Sequence, residues 1–132
     1  MLREAIERIM NEYPSARGEV FAEHPLAQYM RRDLPEILLS LMPLETDIRW
    51  SASAGQGQWA EAPWIAALNE LVTLTPQRGY YPVYLFSYDM STVFLSFNQG
   101  VTILREEFGA GQARDILQHR AKIIRQRLSE AI

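Results

Sequence analysis

Few residues in this chain have types and spacings that could do covalent chemistry. There is no cysteine and there are only two histidines, His24 and His119, so thiol nucleophiles, zinc–thiolate sites and iron–sulfur clusters are excluded. Asp115 and His119 stand four residues apart, a helical spacing that would put both on one face, where they could share a metal ion or act as an oriented base. No second pair converges with them, and a solvated helix face explains the spacing without chemistry. Glu106 and Glu107 fall where acidic side chains favour the start of a helix, and Asp89 falls in a turn between strands. No catalytic residue and no metal ligand is assigned.

The glycines suggest binding instead. Gly55-x-Gly57-x-x-Ala60 fits the dinucleotide pattern G-x-G-x-x-A, but that pattern needs a following helix whose N-terminus meets the pyrophosphate. Pro63 and the apolar run after it predict a strand. The only lysine, Lys122, has Ile123 after it and no glycine frame before it, which excludes a P-loop. What remains is a surface: the run from Ser53 to Ile65 holds a two-glycine loop flanked by Trp50, Trp59 and Trp64, and an aromatic stretch follows from Tyr80 to Phe86. Glycines let a backbone approach a ligand closely, and aromatic rings offer flat apolar faces. This combination calls for no cofactor.

The elements that must position this surface follow from periodicity. Leu2, Ile6, Ile9 and Tyr13 have helical spacing up to an expected break at Tyr13-Pro14 and Gly18. A second helix is predicted from Pro25, with Leu26, Tyr29 and Met30 inward. A third is predicted after Asp33 as N-cap, through Leu38, Leu39, Leu41 and Met42 until Pro43. From Thr46 the period changes to two, with Ile48, Trp50 and Ala52 alternating with polar residues up to the Gly55–Gly57 loop. A second strand is predicted over 62–68, and a hairpin over 80–87 and 92–98 around Tyr88-Asp89-Met90-Ser91. Pro82 cannot donate to a ladder, so irregular pairing is expected there. After Gly100 the helical period returns, is broken at Gly109-Ala110-Gly111, and carries Leu117, Ala121, Ile124 and Leu128 along one face.

Helices, then strands, then helix predict an α+β domain with a mainly antiparallel sheet and a central hairpin, packed against N- and C-terminal helices. The length of 132 residues is that of one domain with a core of its own. No apolar run approaches the roughly 20 residues of a membrane span. The N-terminus lacks a hydrophobic signal core and the chain lacks cysteine, which point to the cytoplasm. The net charge of −3 argues against indiscriminate nucleic-acid binding but leaves room for a local basic patch. Arg114, Arg120, Lys122, Arg125 and Arg127 supply one such segment, which reads equally well as a phosphate track or as an ordinary amphipathic helix.

Three separated motifs occur in order: Ser53 to Ile65; Gln77-Arg78-Gly79-Tyr80-Tyr81-Pro82-Val83-Tyr84-Leu85-Phe86; and Leu95-Ser96-Phe97-Asn98-Gln99-Gly100-Val101-Thr102. They resemble the McrB-type N-terminal domain, the DNA-recognition domain of the 5-methylcytosine-specific, type IV restriction systems used against phage. The resemblance extends over nearly the whole chain, 1–132. It implies binding to duplex DNA carrying a modified cytosine, with the base rotated out of the helix into an aromatic pocket and no bond made or broken. It further implies that Trp64, Tyr81 and Leu85 line that pocket and that Gly55, Gln56, Gly57 and Gln58 form the loop reaching into the DNA. Gln58 stands where the family usually has asparagine, and Gln56 offers no ring to wedge into the base stack.

Members of the family commonly continue past the point where this chain stops, which makes Ile132 a candidate boundary next to a fused or associated nuclease or motor domain. Arg49 and Arg78, near the loop and hairpin, are the expected phosphate contacts. Of the aromatic residues, Tyr81 is the one least readily explained as core, since a buried hydroxyl needs a partner. In a regular strand Tyr81, Val83 and Leu85 share a face, which leaves Tyr80, Tyr84 and Phe86 to pack on helices. The competing reading is a protein-interaction module that docks a partner on the aromatic surface. A small-molecule enzyme is a third reading, and it lacks catalytic groups.

Overall fold

The computed structural model describes residues 2–41 and 47–131. Helix α1, Leu2–Ala16, buries Ala5, Ile9, Tyr13 and Ala16 along one stripe. On its outer side Arg3 pairs with Glu7 at 2.9 Å and Arg8 with Glu12 at 2.8 Å, each one turn apart. The expected break at Tyr13-Pro14 does not occur, and the helix runs through Pro14 to Ala16. Pro14 costs a hydrogen bond and crowds the carbonyl four residues back. It is exposed in the last turn, and burial of Tyr13 and Ala16 on either side outweighs that loss.

Helix α2, Pro25–Gln28, begins with proline in its first turn, and His24 Nδ1 accepts a capping hydrogen bond from the Leu26 amide at 3.1 Å. The chain then stays helical through a π turn, Tyr29–Asp33, into α3, Leu34–Leu41. Asp33 is therefore not the N-cap of a separate helix, as the sequence suggested. Pro35 explains the correction: it has no N–H for the α-helical ladder and would collide with the carbonyl four residues back. The extra residue of the π turn shifts the register, and Leu34 donates to the Tyr29 carbonyl five residues back. The expected helix end at Met42-Pro43 and strand start at Thr46 lie outside the described residues.

Four strands, β1 (Ile48–Gly55), β2 (Trp59–Asn69), β3 (Tyr80–Phe86) and β4 (Val93–Gln99), form one sheet in the order β1-β2-β3-β4, antiparallel throughout. β2 begins three residues earlier than expected, because the loop is short enough for Trp59 to pair with Gly55. Ser53 pairs with Trp64, so residues 60–63 stand opposite Ala54 alone and the strand bulges. Pro63, without an N–H to donate, sits in that bulge. The β2–β3 ladder covers Val83 to Leu85 and stops just short of Pro82, but Pro82 pairs with Phe97 in an unbroken β3–β4 register, so the irregularity expected there is absent on that side. At the β3–β4 turn Ser87 donates to the Thr92 carbonyl, Met90 takes a φ of 59°, and the Asp89 carboxylate accepts from Ser91 and Ser87. Those hydroxyl and amide donors hold its pKa down at about 2.

One face of the sheet packs on the helices. Ile9, Tyr13, Leu26, Met30, Leu34 and Leu38 meet Ala52, Ala54, Ile65, Phe86 and Met90, with Trp50, Trp59 and Tyr84 at the margin. Tyr80 does not join them as expected. At the far end of β3 it is 44% exposed, and its ring lies 5.5 Å from that of Phe97. The opposite face carries a smaller core of Ala66, Leu68, Tyr81 and Val83, edged by Trp64 and Leu85.

Helix α4, Thr102–Ala131, kinks at Gly109, where φ is 80°. It touches the sheet through Gln99, whose Nε2 donates to the Leu117 carbonyl at 2.9 Å. Leu117, Ala121 and Ile124 are half-buried, while Leu128 is 50% exposed, so the predicted apolar stripe is covered over only part of its length. The fold is α+β, as the order of elements requires.

Candidate nucleic-acid interface

The Gly55–Gln58 loop is built on two different glycine requirements. Gly55 has φ 129°, and a Cβ there would lie 2.0 Å from the Gln58 carbonyl oxygen, so no other residue closes this turn. Gly57 has φ 73° but open space around it. It supplies the left-handed step of a three-residue hairpin loop. Gln56, Gly57 and Gln58 are all exposed, and the loop stands out from the sheet edge.

Its base is held rigidly. The Tyr13 hydroxyl, reaching across from α1, lies 2.6 Å from the Ala60 carbonyl and 3.1 Å from that of Ala54. Those are carbonyls of the bulge, so Tyr13 satisfies backbone that the ladder leaves unpaired. Burial pushes the pKa of Tyr13 up to about 12, against the opposing pull of Arg17 and the Ala60 bond. Trp59 is a further anchor: its indole N–H donates to the Glu19 carbonyl at 2.9 Å, and its ring packs on Tyr13, Phe21 and His24. Arg17 ties the same corner together, donating to the carbonyls of Glu61 and Tyr88 while lying over the Tyr13 and Tyr88 rings.

A groove of about 910 Å³ runs beside the loop, along the free edge of β1. Ala27, Gln28, Arg31 and Arg32 of α2 and the π turn form one wall, Thr75, Pro76 and Gln77 the other, and Ser51 to Gly57 the floor, with Trp64 opening onto it. Ligand clefts commonly span about 300 to 1,000 Å³, so there is room for a nucleotide. Of the three tryptophans that flank the loop in sequence, only Trp64 lines the groove.

Of the expected pocket residues only Trp64 lines the groove; Leu85 and Tyr81 share its sheet face without lining it. Trp64 and Leu85 are direct cross-strand partners, and both are half-buried. Tyr81 lies beyond Val83, about 13 Å along the strand from Leu85. It is 8% exposed, with its hydroxyl donating to the Pro76 carbonyl at 2.9 Å. Burial raises its pKa. The sequence singled out Tyr81 as the less core-like residue; the Pro76 carbonyl reverses that ranking by satisfying the hydroxyl without solvent. Through Pro76, Tyr81 also holds the 75–77 wall. Gly100 closes this wall from behind, since a Cβ there would meet the Arg78 nitrogen at 2.1 Å and its amide donates to the Gly79 carbonyl.

The two expected phosphate ligands lie off the groove. Arg49 is exposed beside Glu70 at 3.4 Å, and Arg78 is exposed behind the 75–77 wall. Sequence reasoning missed Arg31 and Arg32. Hydrophobic periodicity carries no signal for a π turn, so nothing in the sequence set these two arginines apart. The basic residues of α4 are exposed, as are Asp115 and His119. Among the described residues no cluster of three histidine or acidic side chains could hold a metal ion. Nor is any helix long and apolar enough to cross a membrane.

Residues 8–132 match the family described as MrcB-like, N-terminal domain. The chain belongs to that family. Comparison with curated proteins found no match. Membership in the MrcB-like N-terminal family assigns a recognition role: binding DNA on behalf of a restriction system. The match runs from the middle of α1 through α4, so the loop, the groove and both walls all lie within the family domain.

Proposed function

We propose that the whole chain acts as one recognition domain that reads a modified cytosine, 5-methylcytosine or a close relative, in duplex DNA by turning the base out of the helix. The observation that carries this reading is that the exposed Gly55–Gln58 loop and the face of Trp64 open on the same groove. A loop next to an aromatic-lined cleft has the two parts that base extrusion requires. One part occupies the space left in the duplex, and the other receives the base. Extrusion costs a few kcal/mol of stacking and pairing, and stacking on an aromatic face returns about 1 to 3 kcal/mol.

In this reading Trp64 is the stacking surface, Leu85 backs it as its cross-strand partner, and Tyr81 supports the wall through Pro76. Gln56 and Gln58 meet the orphaned partner base through hydrogen bonds. Arg49 and Arg78 remain candidates for outer phosphate contacts. Cleavage would be left to an associated nuclease or motor domain, and the domain itself needs no cofactor. Duplexes carrying 2-aminopurine immediately next to the modified cytosine test extrusion directly, because the probe loses its stacking partner when the cytosine leaves the helix. Binding should raise the fluorescence of the probe several-fold, whereas unchanged fluorescence in a complex known to have formed would rule extrusion out.

The alternative, a protein-docking module, draws support from the outer strand β4, where Phe94, Leu95 and Phe97 are 56%, 67% and 46% exposed. That reading predicts association with little dependence on salt, whereas contact with phosphates is steeply salt-dependent.

A further inference from the structure

We propose that Arg31 and Arg32, on the π turn, hold the DNA backbone in the groove beside the Gly55–Gln58 loop and are the principal phosphate ligands of this domain. The inference rests on the DNA-binding role and adds residues to it. Both arginines line the groove from the wall opposite Thr75–Gln77, and both are exposed. Neither forms an ion pair among the described residues, unlike Arg3, Arg8 and Arg49, each of which has a carboxylate within 4 Å. Two adjacent guanidiniums with free donors suit the oxygens of a phosphodiester.

In an α-helix residues 31 and 32 would diverge by about 100°. On the π turn they still diverge, and the length of the two side chains lets both line the one groove. A chain of net charge −3 thus presents a local positive wall where a nucleotide must pass. Glu23, held at φ 60°, lines the same groove with the opposite charge. It should repel the same phosphate.

The test measures binding to a duplex with a modified cytosine and to its unmodified counterpart, at several salt concentrations, for the full chain and four variants: Arg31→Gln, Arg32→Gln, Glu23→Gln, and Arg3→Gln as a control for net charge far from the groove. Each groove arginine removed should make the slope of log affinity against log salt shallower by about 1, and should weaken modified and unmodified duplexes equally. Glu23→Gln should bind more tightly than the parent, and Arg3→Gln should match it. Melting temperatures near that of the parent would show that the variants are folded, as the exposure of these side chains leads one to expect. If both arginine variants keep the parent slope while the parent binds DNA, the inference is overturned and the recognition role stands. It is also overturned if they change the preference between modified and unmodified DNA without changing the slope, since the arginines would then touch a base. A parent that binds no DNA at any salt concentration would remove both.

Discussion

Tyr13 shows how one side chain far from a site can determine the site's shape. Its hydroxyl serves carbonyls that the β1–β2 bulge leaves unpaired. Tyr13→Phe should therefore cost about 1 to 3 kcal/mol, the usual penalty for a buried polar group left without its partner, measured by urea denaturation. The alkaline behaviour follows from the same burial. The folded pKa of about 12 lies above the unfolded value near 10, so the protonated hydroxyl is favoured by folding. That contribution is complete below about pH 10 and is lost as the pH rises through about 12. The parent should thus lose more stability than Tyr13→Phe across this window. Tyr81 calls for a finer choice of variant than its sequence position suggests. Tyr81→Ala would empty a buried site and cost about 3 to 5 kcal/mol, so loss of DNA binding could not be separated from loss of fold. Tyr81→Phe removes only the bond to Pro76, which should cost about 1 kcal/mol in thermal melting.

At the scale of elements, the loop hairpin separates two uses of glycine. Gly57→Ala puts a side chain into open space at positive φ and should cost about 1 to 2 kcal/mol. Gly55→Ala meets the Gln58 carbonyl and should prevent the turn from closing. Melting curves that show equal losses for the two would contradict this division. The same elements show what periodicity can and cannot convey. Alternation gave β1, and the hairpin and its turn residues gave β3 and β4, because polar and apolar positions there report directly on two faces. The long helical run from Pro25 to Leu41 reads in sequence as two helices, since Asp33 with Glu36 three residues on has the form of a cap and a π turn has no period of its own. Trp59 and Trp64 are indistinguishable in sequence as aromatic residues beside a loop. The Glu19 carbonyl, 40 positions away, makes Trp59 an anchor and leaves Trp64 open.

For the whole molecule, the central claim is that an acidic domain of the MrcB-like N-terminal family reads a modified cytosine through one groove. Contact area limits how well it can do so. One buried methyl contributes about 0.8 kcal/mol, or roughly fourfold in affinity, so the methyl alone cannot support large discrimination. A wrong base, in contrast, leaves a polar edge unpaired against the groove wall, and that penalty is larger. The most direct measurement is a competition titration with duplexes identical except at one position, bearing 5-methylcytosine, 5-hydroxymethylcytosine, cytosine or N6-methyladenine. The expected result is a preference for modified over unmodified cytosine of up to about tenfold, with methyladenine clearly weaker than either. Equal affinity for all four would contradict the claim that a base is read, and a preference of several hundredfold for 5-methylcytosine would contradict the claim that its methyl is read by contact area.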